Sequence, residues 1–306
     1  MTPATILASS QEITSEFQLN SILLPTDFSD ASDRAAYLAR GLAHRFHAKL
    51  FLVHAVWQKD YAWDDALFQL APGEDLGRRL TGEFVVNHQL DGLPHEIIVL
   101  SGSPVDVVRK IAAEKNVDLI VLGANGLKGQ AKLLFGTYSE HIYRNTTCPV
   151  LTVGPHVSPA KCTGAFHSIV FAINPDSAAA ADALRYAIAL TRACNAYLTV
   201  ANILPESHGL HGETLYRLEE EKRAQISRML TENQLPLPHQ PEIIIETGNL
   251  SDEIIKLAVG CGADLIVKGL RPVDAHSPNG HTYPISVNAH CPVLTVGCRT
   301  QPSAPG

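Results

Sequence analysis

Read for polarity alone, the chain alternates between short, unbroken apolar runs and longer stretches whose apolar residues recur every three or four positions. Residues 21–25, 49–56, 96–100, 118–122 and 149–153 are runs of the first kind. Between the first two, Ala35, Leu38, Leu42 and Phe46 fall at helical spacing, and Asp30 is placed to cap the helix they predict. A weaker helical pattern covers 74–90. Ser103-Pro104-x-Asp106 reads as a helix start, with a cap, a first-turn proline and an acidic third residue. A short helix is predicted near 137–144. The order then returns, with strands at 168–173, 196–203, 242–246, 264–268 and 292–296, and helices at 177–193, 213–233 and 250–260. Strands that are apolar at every position have no solvated face. They predict a parallel sheet covered by helices on both sides, and right-handed crossovers make it doubly wound.

The return is a duplication. CPVLTVG occurs at 148–154 and again at 291–297, and DLIVLG (118–123) answers DLIVKG (264–269). Ser101-Gly102 matches Thr247-Gly248, and SILLPTDFSD (21–30) matches SIVFAINPDS (168–177). The segments keep their order and nearly their spacing, the signature of a repeated unit. The predicted class is therefore α/β: two tandem, doubly wound, Rossmann-like domains, each with a five-stranded parallel sheet. They cover 19–154 and 167–298, with 155–166 as linker and 1–18 and 299–306 as tails.

Composition narrows the chemistry. A length of 306 residues suits two domains, and 45% hydrophobic residues supply a core for each. Charged residues, at 18%, fall below the usual value of about 25%, against long disordered stretches. The net charge of −7 and the lack of a basic run argue against nucleic acid. They do not exclude a small nucleotide, whose phosphates backbone N–H groups can hold. The six cysteines form no C-x-x-C pair, which removes zinc and thioredoxin-type readings. Several lie beside apolar runs, as buried thiols do, so a reducing, cytoplasmic setting is expected. No signal-peptide pattern opens the chain, and no apolar run reaches the roughly 18 residues of a membrane helix. Neither secretion nor a membrane is expected.

In a doubly wound sheet, ligands bind beyond the carboxyl ends of the strands, where strand order reverses. Two segments are predicted to meet there: Pro25-Thr26-Asp27-Phe28-Ser29, and the stretch after the fourth strand. That stretch has the spacing G-x2-G-x9-G-[ST], formed by Gly123, Gly126, Gly136 and Thr137. Gly123 and Gly126 are expected to adopt positive φ and let the backbone approach a ligand. Gly136 and Thr137 are expected to open a helix whose unpaired N–H groups favour phosphate oxygens. The competing reading is a glycine-rich turn used only for close packing. Neither G-x-x-x-x-G-K-[ST] nor G-x-G-x-x-G after the first strand is present, so this is neither a P-loop nor a dinucleotide-type loop.

The PTDFS start, the G-x2-G-x9-G-[ST] loop and the closing CPVLTV strand together resemble the universal stress protein family, in tandem form and of the nucleotide-binding branch. The resemblance covers both halves and implies ATP as ligand, with Mg2+ left open. Carried over residue by residue, Gly126, Gly136 and Thr137 contact phosphates and Gly123 sits near the ribose. Asp27 holds a ribose hydroxyl, and Ala55 offers backbone groups to adenine. Pro25, Thr26, Ala124 and Tyr138 complete the set. Asp27 facing the sugar also makes independent sense, since a carboxylate against a triphosphate would be repelled.

The second half departs from this pattern. Asn174 stands in place of Asp27 and Pro272 in place of Gly126. Its loop is three residues shorter, counting Gly269 to Cys291 against Gly123 to Cys148, and Gly280 does not restore the spacing. Its loop reads as degenerate and its role as structural. The family also implies antiparallel pairing of the last strands, which a tandem chain can satisfy internally as a pseudo-dimer; further homodimerisation stays open.

The implied function is nucleotide-dependent interaction with a protein partner in stress response or signalling, through one ATP site in the first domain. The alternatives are a slow Mg-ATP hydrolase and a nucleotide-free interaction module. No catalytic set is evident: there is no G-x-S-x-G elbow. His208 and His211 lack a third metal ligand, so no metal site is assigned. His54 reads as a structural histidine and Lys128 and Lys132 as solvated. Trp57, Tyr61, Trp63 and Phe68 could form a lid or cover the core edge.

Overall fold

The structure, a computed structural model, describes residues 17–56, 73–124, 142, 146, 148–206, 212–233, 236–270 and 282–297. In the first half, strand β1 (Ser21–Pro25) leads to helix α1 (Asp30–Phe46) and β2 (Lys49–Val56). Helix α2 (Gly73–Asn87), β3 (His95–Ser101), α3 (Pro104–Glu114), β4 (Leu119–Gly123) and β5 (Val150–Val153) follow. The second half repeats this with β6 (Ser168–Ala172), α4 (Ala180–Cys194), β7 (Tyr197–Leu204), α5 (Glu213–Glu232) and β8 (Glu242–Thr247). It ends with α6 (Leu250–Gly260), β9 (Leu265–Leu270), α7 (Thr282–Asn288) and β10 (Val293–Gly297).

Among the described residues, ten strands form one sheet in the order β3-β2-β1-β4-β5-β10-β9-β6-β7-β8. Each half is parallel within itself. The halves meet at a single antiparallel junction, where β5 and β10 pair with Leu151 opposite Leu294. The two CPVLTVG segments thus lie against each other as the family resemblance implies, and neither last strand is left as an open edge. Side chains of alternating strand positions go to opposite faces. On one face Ile22, Leu24, Leu50 and Leu52 of the first half share a continuous core with Ile169, Phe171, Leu184 and Ile188 of the second. On the other face the core is divided. Leu23, Phe51, Val53, Leu122 and Val150 belong to one part, and Val170, Ala201, Ile266 and Val293 to the other. Leu270, at the end of β9, crosses the junction and joins the first half's part.

The linker between the halves is fastened to both of them. The Thr163 carbonyl lies 2.2 Å from where a Cβ on Gly41 would be, so α1 can carry no side chain at that point. On the second half, Lys161 pairs with Asp264, whose second carboxylate oxygen accepts from the N–H groups of His167 and Ser168. Burial pushes the Asp264 carboxyl up, but Lys161 and the two N–H groups outweigh it and hold it below its ordinary value. Asp118, the matching residue of the first half, accepts from the N–H groups of Asn20 and Ser21. Among the described residues, no helix is long and apolar enough to cross a membrane.

Three local expectations change. The cap of α1 is Ser29, whose hydroxyl accepts from the Ser32 N–H, while Asp30 lies in the first turn. Helix α4 begins at Ala180 rather than 177, because the intervening residues form a chain of turns. The Asn174 side chain accepts from the Asp176 N–H, the Asn174 carbonyl from Ser177, and the Ser177 carbonyl from Ala180. Helix α7 has no counterpart in the sequence reading. Its residues TYPISVN are poor helix formers, and burial of Ile285 in the second half's core accounts for it.

Candidate functional site

Strand order reverses between β1 and β4 in the first half, and between β6 and β9 in the second. The carboxyl ends of β1, β2 and β4 therefore bring together Pro25, Thr26, Asp27, Ala55, Gly123 and Ala124. Gly126, Gly136, Thr137 and Tyr138 lie outside the described residues, as do Lys128, Lys132, Trp57, Tyr61, Trp63, Phe68, His208, His211, Pro272 and Gly280.

The turn after β1 is built by side chains. The Thr26 N–H extends the ladder by donating to the Val53 carbonyl at 2.9 Å, and Thr26 Oγ1 accepts from the Phe28 N–H at 3.0 Å. Phe28 takes a left-handed φ of 62°, unusual for a bulky residue and worth roughly 1 kcal/mol or more of strain. Its ring packs on His54 with centroids 4.6 Å apart. His54 is buried, and its Nδ1 faces the Thr26 carbonyl at 2.9 Å, so that nitrogen carries the proton. His54 is thus a structural anchor for the turn.

Asp27 is exposed but held. Its Oδ1 accepts from the Ser29 N–H at 3.1 Å, the Ser29 hydroxyl at 2.6 Å and the Ser32 hydroxyl at 2.7 Å. Its own N–H donates to Ser32 Oγ at 3.2 Å. Oδ2 accepts no hydrogen bond from a described residue. One oxygen is saturated by the first turn of α1, and the other keeps its acceptor capacity on an exposed residue. Ser29 and Ser32 were not singled out in the sequence. Their signal is the spacing D-x-S-x-x-S, in which a helix-capping serine doubles as a clamp on the carboxylate.

Ala55 lies two residues past Val53, whose carbonyl is taken by Thr26. Because strand positions two apart point their backbone groups the same way, Ala55 directs its N–H and C=O towards β1, beyond that strand's end. No described backbone group pairs with them there. Ala124 is buried and donates its N–H to the Val153 carbonyl.

Gly123 departs from expectation. It does not adopt a positive φ. A Cβ there would lie 2.0 Å from the Ala31 carbonyl oxygen, so glycine is required because the first turn of α1 lies directly on the end of β4. Close packing therefore explains this one member of the glycine pattern.

At the matching place in the second half, the Asn202 side-chain amide donates to the Ile173 carbonyl at 2.8 Å, as His54 does to Thr26. Asn174 holds the turn by accepting from Asp176, and Asp176 is drawn to α5 by Lys222 at 2.7 Å and by Gln225. Lys222 holds the Asp176 carboxyl below its ordinary value against the opposing effect of burial, with Gln225 assisting. Gly269 is less crowded than Gly123, with its nearest neighbour, Ala183 Cβ, at 3.2 Å from a would-be Cβ.

Three of the described cysteines are poor nucleophiles. Burial raises the thiols of Cys148 and Cys291 to about 12 and that of Cys162 to about 11, so they stay protonated at neutral pH. Among the described residues, no group of three or more His, Cys, Asp or Glu side chains could hold a metal ion.

Comparison with known proteins agrees with this architecture. A universal stress protein of Thermus aquaticus, from the QAH/OAS sulfhydrylase 3′ region, is 34% identical over 136 residues, covering 43% of this chain and 96% of that protein. The crystal structure of a universal stress protein from Archaeoglobus fulgidus covers 92% of this chain and 100% of its own, with a TM-score of 0.66 at 21% identity. A putative universal stress protein from Pseudomonas aeruginosa covers 91% of this chain and 93% of its own, with a TM-score of 0.58 at 13% identity. At these identities the two structures speak to the fold alone. The profile of the universal stress protein family matches the chain twice, over residues 19–154 and 165–297, and the chain belongs to that family.

Proposed function

We propose that the first half binds ATP across the carboxyl ends of β1, β2 and β4, and that the chain acts in stress response by changing its contacts with a protein partner as the nucleotide binds and leaves. The observation that carries this is the exposed Asp27, pinned through Oδ1 by Ser29 and Ser32 while Oδ2 accepts no bond from a described residue. A ribose offers hydroxyl donors that such an acceptor suits, whereas a triphosphate would be repelled. The sugar then lies at Asp27, and the phosphates extend towards Gly126, Gly136 and Thr137. The outward N–H and C=O of Ala55 supply one donor and one acceptor, the pair an adenine edge requires. The second half lacks the carboxylate at Asn174, so one nucleotide per chain is expected. Nucleotide binding would bias a surface conformation, a population shift rather than a reaction.

Calorimetric titration of the full, nucleotide-stripped chain with ATP and magnesium tests this. Binding near one equivalent is expected. Asp27→Ala should weaken it about 10- to 100-fold, the value of a hydrogen bond to a charged group. An unchanged affinity in Asp27→Ala would remove the ribose assignment, and no binding at millimolar ATP would leave a nucleotide-independent interaction module. Phosphate release that depends on Asp27 would make the chain an ATP hydrolase instead.

A further inference from the structure

We propose that the second half holds a binding site of its own, for a small oxyanion (a phosphate or carboxylate group), at the carboxyl end of β9 and β10. Its floor is Lys268 beside Thr295. The two are register partners on adjacent parallel strands, so their side chains share a face. Their neighbours two residues back, Ile266 and Val293, belong to the second half's separate core and identify that face. It corresponds to the face on which Leu122 lies beneath the proposed nucleotide site of the first half.

Lys268 is 9% exposed and Thr295 2%. A lysine that deep is rare unless it is paired, and Lys268 is itself engaged in a polar contact. The orphan is Thr295, whose buried Oγ1 has no hydrogen-bond partner. Buried hydroxyls are seldom left so. At the matching position of the first half, Thr152 is engaged. A buried hydroxyl that lacks a partner, on the same sheet face as a lysine, suits one ligand chemistry above others: an oxygen anion that takes a hydrogen bond from the hydroxyl and charge from the lysine.

The charge balance points the same way. Relative to the first half, Asn174 for Asp27 removes a negative charge and Lys268 for Leu122 adds a positive one. The nearest described acid on the β6–α4 turn, Asp176, is already neutralised by Lys222. A ribose diol, which needs an acceptor such as Asp27, finds none in Lys268. At these two positions the second half is thus more positive than the first.

Methyl NMR of the full chain, labelled at Ala, Leu and Thr, tests this one site at a time. It does not depend on whether the first half binds ATP, because Ala55 and Leu122 report separately. Inorganic phosphate and malonate are the probes. Saturable shifts are expected at Thr295 and Ala172, the register neighbours of Lys268. The anion that saturates at the lower concentration identifies the group preferred. Lys268→Leu should weaken the response at least about tenfold, and Thr295→Val, which keeps shape but loses the hydroxyl, severalfold. Lys268→Arg, which keeps the charge, should bind. Absence of saturation at Thr295 and Ala172 at tens of millimolar anion, or equal saturation in Lys268→Leu and Thr295→Val, would overturn the proposal.

Discussion

Replacing Gly123 by alanine places a methyl group 2.0 Å from the Ala31 carbonyl oxygen and 2.7 Å from the Ala31 Cβ. The obstacle is helix backbone, which cannot rotate aside as a side chain can, so α1 must lift from β4 by roughly an ångström to restore contact distance. Overpacking of this kind costs about 1–3 kcal/mol, and a backbone obstacle puts it at the upper end. Gly269→Ala is the internal control. Its new methyl meets the Ala183 Cβ at 3.2 Å and the Ala179 carbonyl at 3.3 Å, a few tenths of an ångström too close, with an expected cost below about 1 kcal/mol. Urea unfolding followed by circular dichroism should show a midpoint loss for Gly123→Ala exceeding that for Gly269→Ala by the equivalent of about 2 kcal/mol, at unchanged slope. Because Ser29 and Ser32 belong to the displaced turn, Gly123→Ala should also loosen Asp27 and weaken ATP binding. Equal stability losses in the two variants, within about 0.5 kcal/mol, would refute the view that Gly123 is glycine because of α1.

Other expectations follow from the same geometry. Asp264 has a depressed folded pKa, so its stabilising contribution is complete above the unfolded carboxylate pKa of about 3.9 and is lost as pH falls through the folded value. Asp264→Asn should therefore flatten the acid limb of stability below about pH 4, measured by urea midpoints against pH. Cys291, buried and with its thiol raised to about 12, should resist a thiol-specific disulfide reagent at pH 8 in the native chain and react at once in urea. Native labelling of Cys291 at a rate independent of unfolding would contradict its burial.

The architecture was legible because every level repeated it: apolar strands, helical spacing and two copies of CPVLTVG lead to the same sheet. Local geometry was less so. The motif glycine at 123 invites a ligand reading, yet its cause is the Ala31 carbonyl, an atom brought there by a crossover that the sequence does not display. The clamp on Asp27 depends on Ser29 and Ser32, which look like ordinary cap residues until the turn is folded. Helix α7 contradicts its own propensities, and only the burial of Ile285 and the seating of the Ser286 carbonyl against Gly154 explain it. Thr295 lies inside the most conspicuous repeat in the chain, where likeness to Thr152 conceals that its surroundings differ.

The antiparallel junction of β5 and β10 has an evolutionary consequence. Were two identical chains to pair through that strand, every substitution would appear twice, and a change useful on one side would be imposed on the other. With both partners in one polypeptide, their association is intramolecular and no longer depends on protein concentration. Leucine at 122 and lysine at 268 can then coexist in one particle, as can Asp27 and Asn174. Covalent linkage turns a self-association surface into a licence for the two halves to diverge.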